Sequence, residues 1–262
     1  MASTSEHANT DSAYADSAPD TPVAPDTPVA PPPEHRFFGR RKGPRLSDRK
    51  QALIDDVLPA LRVPVGPDTP PASLDPATLF PARPEGVWLE IGFGKGEHLA
   101  WQASHGPNVG LIGCEPYLNG VAAAVDRVVE AGVQDRVRLY DDDARHVLHA
   151  LEDASLDRVF LIHPDPWPKT RHARRRFVNP PMLDLLARVM ADGGELRIGT
   201  DHPVYKRWTA IQMAHRDDFH WTAESVSHWQ TRPHDWPRTR YETKAIEGRA
   251  SHLIYRRRPR TG

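Results

Sequence analysis

From Val87 onward the chain alternates short β-branched runs with runs of helical periodicity, and this alternation constrains the fold more than any other feature. Val87–Ile91, Val109–Cys114, Val137–Tyr140, Arg158–Ile162 and Leu196–Gly199 read as strands. A helix opens near Glu97, and Tyr117–Val129 sets Leu118, Val121, Val125 and Val128 on one helical face. Ala144–Leu151 and Pro181–Met190 read as further helices, the second stopping before Gly193-Gly194. Tyr205–His215 is a helix, and His220–Val226 with Leu253–Arg256 forms a closing antiparallel pair. Strand–helix repeats of this kind build an α/β fold, a mostly parallel sheet with helices on both faces. Ligands of such sheets bind beyond the carboxyl ends of the strands, so the chemistry is sought there.

The first strand runs into Gly92-Phe93-Gly94-Lys95-Gly96, a turn whose glycines let backbone approach a ligand and whose following helix points its N-terminus at the site. The spacing is one residue shorter than the dinucleotide fingerprint, and a tight turn without a ligand explains an isolated match equally well. The second strand ends at Glu115, placed to accept hydrogen bonds from ribose hydroxyls. The third is followed by Asp141-Asp142-Asp143-Ala144, where an acid and backbone can receive an adenine or Asp143 can cap a helix. Three such features on successive strand ends suit an adenosyl ligand, with nicotinamide dinucleotides still open. Cys114 is the chain's one cysteine, so neither an intrachain disulfide nor a multi-cysteine metal site is available, and its place inside a strand makes it a small buried hydrophobe.

The fourth strand ends in His163-Pro164-Asp165-Pro166-Trp167-Pro168-Lys169. Three prolines in five residues fix φ and remove backbone donors, which predicts a stiff loop projecting Asp165 and Trp167. Five of the eight residues Lys169–Arg176 are Lys or Arg, a density suited to nucleic-acid phosphates. A second basic segment spans Arg36–Lys50, after which Ser47 caps a helix carrying Leu53, Ile54, Val57 and Leu58. Residues 1–35 hold six of the 35 acidic residues and none of the 34 basic ones, so residues 36–262 carry a formal charge of +5. That tail repeats Ala-Pro-Asp-Thr-Pro-Val in tandem and lacks the apolar surface to offset the entropy of ordering; it reads as a disordered, solvated extension. No apolar run approaches the roughly 18 residues of a membrane span and no signal pattern opens the chain, so a cytoplasmic protein is expected. Gly199-Thr200-Asp201 and Thr239-Arg240-Tyr241-Glu242, with Trp236 upstream, complete the strand-end and aromatic features.

Together these residues resemble the bacterial tRNA (guanine-N(7)-)-methyltransferase family over Val87 to the C-terminus, most specifically in Pro164–Lys169 and the Arg-rich segment after it. The resemblance implies a Rossmann-like class I methyltransferase fold, with a seven-stranded sheet and an antiparallel C-terminal strand, using S-adenosyl-L-methionine. It implies methyl transfer to N(7) of the guanine at position 46 in the tRNA variable loop. By motif, Glu90, Gly92, Gly94, Glu115, Asp143, Ala144 and Asp165 correspond to cofactor-binding positions, and Asp165 also to the catalytic one. Lys169, Asp201, Thr239, Arg240, Tyr241 and Glu242 correspond to substrate-binding positions, and Arg171, His172, Arg174, Arg175 and Arg176 to the RNA-contact segment. The implied division is a tail (1–35), a basic arm with an N-terminal helix (36–85) and a methyltransferase domain (86–262). tRNA is the expected partner. No metal and no protein partner is expected, and the chain is expected as monomer or homodimer. An NAD-type oxidoreductase, a non-enzymatic RNA-binding module, and a methyltransferase for a small molecule or protein are the rivals. Each leaves the proline loop, the acids or the arginines without a role.

Overall fold

The computed structural model describes residues 38–244 and 248–261, all within one compact unit, Phe37–Gly262. The sequence-based reading of the tail, and Arg36 of the arm, lie outside the described residues. Seven strands form one sheet: β1 (Gly86–Ile91), β2 (Val109–Cys114), β3 (Val137–Tyr140), β4 (Leu156–Ile162), β5 (Met190–Thr200), β6 (Phe219–Trp221) and β7 (Ser251–Arg257). Their order is β3-β2-β1-β4-β5-β7-β6, with β7 antiparallel to both neighbours and the other pairs parallel. The chain winds outward from β1 through β2 to β3, then returns to β4 on the other side of β1. The crevice at this reversal is where open sheets of this class hold ligands.

The crossover helices are set by their apolar faces. After α1 (Asp48–Ala52) and α2 (Leu58–Leu61) in the arm come α3 (Glu97–His105), α4 (Leu118–Glu130), α5 (Ala144–Ala150), α6 (Pro180–Val189) and α7 (Pro203–Ala214). Val121, Val125 and Val128 of α4 pack with Leu99 and Ala103 of α3 beneath one face of the sheet. Val147 and Leu148 of α5, Leu183 and Leu186 of α6 and Tyr205 of α7 cover the other. Two short helices, α8 (Val226–Gln230) and α9 (Arg240–Lys244), follow β6.

Three elements differ from the sequence reading. Gly193-Gly194 does not stop α6, which ends at Val189 with Met190 already extended. The pair lies within β5, where the pairing jumps from Leu156–Met190 to Arg158–Glu195 and Gly193 has φ +83°. The extra residues form a bulge, a use of glycine that helical punctuation alone does not distinguish. β6 stops at Trp221, and Val226 begins α8. In the arm, Ser47 caps α1 as its side chain accepts from Lys50 N, but Leu53–Val57 then opens into a π-helical turn before α2.

The arm lies along the β3 edge. Arg62 bridges Leu139 in parallel register, Val63 N donates to Leu139 O at 2.9 Å, and Leu58 and Leu61 are buried against α4 and β3. Each buried leucine contributes about 1.5–3 kcal/mol of transfer free energy. Further out, Leu118 N donates to Arg41 O, and Gly43 N to Asn119 Oδ1. These bonds tie the arm to the start of α4, next to the strand ends.

Candidate active site

The turn after β1 is built for close approach. Gly92 and Gly96 both have φ +73°, a left-handed conformation that side chains disfavour. A Cβ on Gly92 would meet nothing within 4 Å, so open space lies over the turn. A Cβ on Gly96 would lie 2.6 Å from Ala124 Cβ, so this glycine lets α3 and α4 converge. Gly94 N donates to Glu115 Oε2 at 2.8 Å, and Tyr117 N to Glu115 Oε1 at 2.9 Å. Burial raises the Glu115 carboxyl above its ordinary value. The two backbone bonds oppose the rise, and the charges of Asp165 and Glu90 add to it. The acids at the ends of β1 and β4 thus lie within electrostatic range of the one at the end of β2.

Two acids are already engaged. Glu90 is 2 % exposed and pairs through Oε2 with His98 Nδ1 at 2.9 Å; His98 Nε2 is 3.1 Å from Gln102 Nε2, which donates to Asp235 O. Asp143 caps α5, accepting from Arg145 N at 3.0 Å and pairing with the Arg145 guanidinium. Burial works to raise the Asp143 carboxyl, but the Arg145 hydrogen bonds and charge prevail and lower it. Asp142 pairs with Arg41 at 2.6 Å and Asp141 with Arg62 at 2.8 Å. The capping role is therefore present.

The proline loop carries strain at both ends: His163 has φ +49° and Trp167 φ +42°. His163 N donates to Gly199 O at 2.7 Å, and its Nδ1 lies 3.6 Å from Asp201 Oδ1. Between them Asp165 is exposed, with no hydrogen bond or ion pair among the described residues. Its surroundings nonetheless desolvate the carboxyl enough to raise its pKa above the ordinary value.

The basic run after the loop divides by direction. Lys169, Arg171 and Arg174 are exposed, and His172 is half-buried with its ring edge-on to Trp167. Arg175 lies between the rings of Phe38 (4.7 Å) and Trp167 (4.9 Å), and its buried Nε has no hydrogen-bond partner. Arg176 is 5 % exposed and turned inward, unlike its expected place in an RNA-facing row.

Across the cleft, Asp201 follows β5 and is half-buried. Thr239 is buried; its hydroxyl accepts from Glu242 N at 3.3 Å. Arg240 N donates to Glu97 Oε2, tying α9 to α3, while the Arg240 side chain is exposed. Glu242 Oε1 lies 3.7 Å from Arg232 Nε and 3.8 Å from His252 Nε2. The side chain of Tyr241 lies outside the described residues. Sequence reasoning missed His98, His252, Arg232 and Phe38. Phe38, Arg232 and His252 act through partners they do not neighbour in the chain, and only His98 carried a local signal, in the first turn of the helix after the glycines.

Among the described residues no cluster of His, Cys, Asp or Glu is arranged to hold a metal ion, and no helix is long and apolar enough to cross a membrane. A β3-β2-β1-β4-β5-β7-β6 sheet with β7 antiparallel, and a glycine turn and acids at its reversal point, defines a class I S-adenosylmethionine-dependent methyltransferase fold. The family model described as "Putative methyltransferase" matches residues 84–253. A Rhodospirillum rubrum protein named tRNA (guanine-N(7)-)-methyltransferase is 49 % identical over 227 residues, covering 86 % of this chain and 89 % of that one. Proteins of the same name from Paramagnetospirillum magneticum and Paracoccus denitrificans are 49 % and 44 % identical, covering 86 % and 87 % of this chain and 94 % and 97 % of theirs. The chain belongs to the tRNA (guanine-N(7)-)-methyltransferase family.

Proposed function

We propose that this protein transfers a methyl group from S-adenosyl-L-methionine to N(7) of a guanine in tRNA, the variable-loop guanine at position 46, in the cytoplasm. The observation that carries the reading is the unpaired Asp165 carboxylate on a braced loop, within electrostatic range of Glu115 on the glycine turn and followed by exposed cations.

The cleft fits the donor. Space lies over Gly92, and each Glu115 oxygen receives one backbone N–H and keeps acceptor capacity for a ribose hydroxyl. Gly92 and Gly94 line the turn, the Asp143-Ala144 backbone receives the adenine, and Glu90 backs the site through its pairing with His98. When bound, the donor supplies an electrophilic methyl on a sulfonium sulfur. Guanine N(7) has a lone pair and no proton, so the protein needs no general base. Its work is alignment, which in favourable systems supplies about 7–11 kcal/mol. As N(7) takes the methyl, positive charge grows on the guanine, and Asp165 stabilises it. Lys169, Asp201 and Thr239–Glu242 hold the nucleotide, with Asp201 and Glu242 offering acceptors to the donor edge of the base. Lys169, Arg171, His172, Arg174 and Arg175 face the phosphates. Drawing the base from tertiary structure costs a few kcal/mol, which those contacts offset. Residues 86–262 constitute the catalytic domain, 36–85 its arm, and 1–35 a tail.

The test is to incubate the purified protein with labelled S-adenosylmethionine and unmodified tRNA and to map the modified nucleoside. Label at N(7) of the variable-loop guanine, lost when that guanine is replaced, is expected. No transfer, or label on another atom, overturns the reading.

A further inference from the structure

We propose that Arg176 is a positioning residue: its guanidinium holds the loop that presents Asp165, and it makes no contact with RNA. The proposal rests on the role of Asp165 given above. The loop cannot brace itself, because Pro164, Pro166 and Pro168 remove three of the N–H donors that would close its turns. Its carbonyls need donors from elsewhere. Arg176 Nε donates to Pro166 O at 3.0 Å, and Arg176 Nη2 to Trp167 O at 2.9 Å. One rigid fork therefore serves two consecutive carbonyls, one of them on a residue whose positive φ persists only where its surroundings impose it.

The guanidinium is itself held. Trp208 of α7 stacks on it at 4.7 Å, and Trp208 Nε1 donates to Val178 O just beyond it. Tyr205, fully buried one turn earlier on α7, accepts from Val178 N and lies within electrostatic range of both Arg176 and Asp165. An arginine buried this deeply is tolerated when its donors find acceptors, and here they find the loop. Arg174, two residues away, is exposed with no such partner among the described residues.

Arg176→Lys retains the charge but cannot fork to both carbonyls and stack on Trp208. Its kcat at saturating tRNA should fall on the order of 10²-fold, the cost of a small misplacement of a catalytic group. Arg176→Ala should fall further, so that lysine counts as partial rescue. In both, the tRNA Kd and its salt dependence should stay at wild-type values, whereas Arg174→Ala should weaken binding and lower the salt slope by about 0.7–0.9. Unchanged kcat in Arg176→Lys and Arg176→Ala, or a lowered salt slope, overturns the proposal. Should the variants not fold, the wild-type protein still decides: the Arg176 Nε–H resonance should be protected from exchange and should not move on adding tRNA, while that of Arg174 moves. An Arg176 resonance that moves, or exchanges freely, overturns it. Wild-type protein that methylates no tRNA would instead sink the functional reading, a separate result.

Discussion

His98 Nδ1 lies 2.9 Å from Glu90 Oε2, with the two side chains 3 % and 2 % exposed. The pair links the end of β1 to the first turn of α3, so the glycine turn between them is closed by a side-chain bond as well as by the backbone. From His98 the chain of contacts runs through Gln102 to Asp235 O, and the His98 ring packs edge-on against Phe160 at 4.6 Å. Glu90→Ala should therefore destabilise the fold, because it leaves a buried imidazole nitrogen without its partner, at about 1–3 kcal/mol. Glu90→Gln, which still offers an acceptor, should lose less. Urea unfolding of the three proteins measures this, and equal midpoints for Glu90→Ala and wild type would refute a structural role for the pair.

Asp165 stands opposite in character, exposed and unpaired, so its replacement should leave stability within about 0.5 kcal/mol of wild type. Asp165→Asn should instead lower kcat for tRNA by about 10²–10³-fold, the usual loss when an electrostatic stabiliser is removed. Its pKa is raised by the desolvating surroundings of the loop, and the charged form is the active one. Wild-type kcat should thus rise with pH through a single limb lying above the ordinary aspartate value, with no second acid limb from a general base. A pH–rate profile with the same acid limb in Asp165→Asn would show that another group titrates.

Lys169, Arg171 and Arg174 are the exposed members of the basic run, so the triple alanine variant removes charge without opening the core. Counterion release gives each lost phosphate contact about 0.7–0.9 in the slope of log K against log salt, and the variant should flatten that slope by about 2–3. S-adenosylmethionine affinity should be unaffected. Titrations of tRNA at several salt concentrations check both, and an unchanged slope would remove the phosphate contacts from these three residues.

The contrast among these arginines marks how far the sequence is legible. β2 and β3 coincide with the sequence reading residue for residue, each a largely apolar run ended by an acid, Glu115 and Asp141. The acids fall at strand ends because the parallel repeat fixes where strands end, and Asp165 and Glu90 both lie within electrostatic range of Glu115. Charge density, however, carries no direction. Arg174 and Arg176 are alike in the string, and only the turn of the Thr170–Arg175 3₁₀ segment sends one to solvent and the other beneath the loop. The arm is similarly ambiguous: Arg41 and Arg49 meet Asp142 and Asp126 far along the chain, so charges that read as available to phosphate are held by protein acids. The β5 bulge and the π turn in the arm leave no local signature beyond residues that also fit a cap or a regular helix.

His252 provides a test of the cluster around Glu242 that does not depend on turnover. It is 4 % exposed, its Nε2 faces Glu242, Trp236 packs edge-on at 5.0 Å, and its Nδ1 has no partner. Burial, then the nearby Arg232 and His163, lowers its pKa to about 4, against 6.5 for the free side chain. Between these values the unfolded chain binds the proton and the folded one does not, so stability rises with pH across the window. The contribution is complete above about 6.5 and is lost as pH falls toward 4. Carboxyls held low, such as Asp143 and Glu195, lose their contributions at more acidic pH, below their own ordinary values of 3.8 and 4.5, so the two effects separate. His252→Gln, which retains a donor for Glu242 and cannot titrate, should flatten the stability profile between pH 6.5 and 4 while remaining near wild type at pH 7.5. Denaturant midpoints measured across that range decide it: an equal slope in both proteins would mean that His252 is protonated in the folded state and that the cluster around Glu242 is charged differently from this structure.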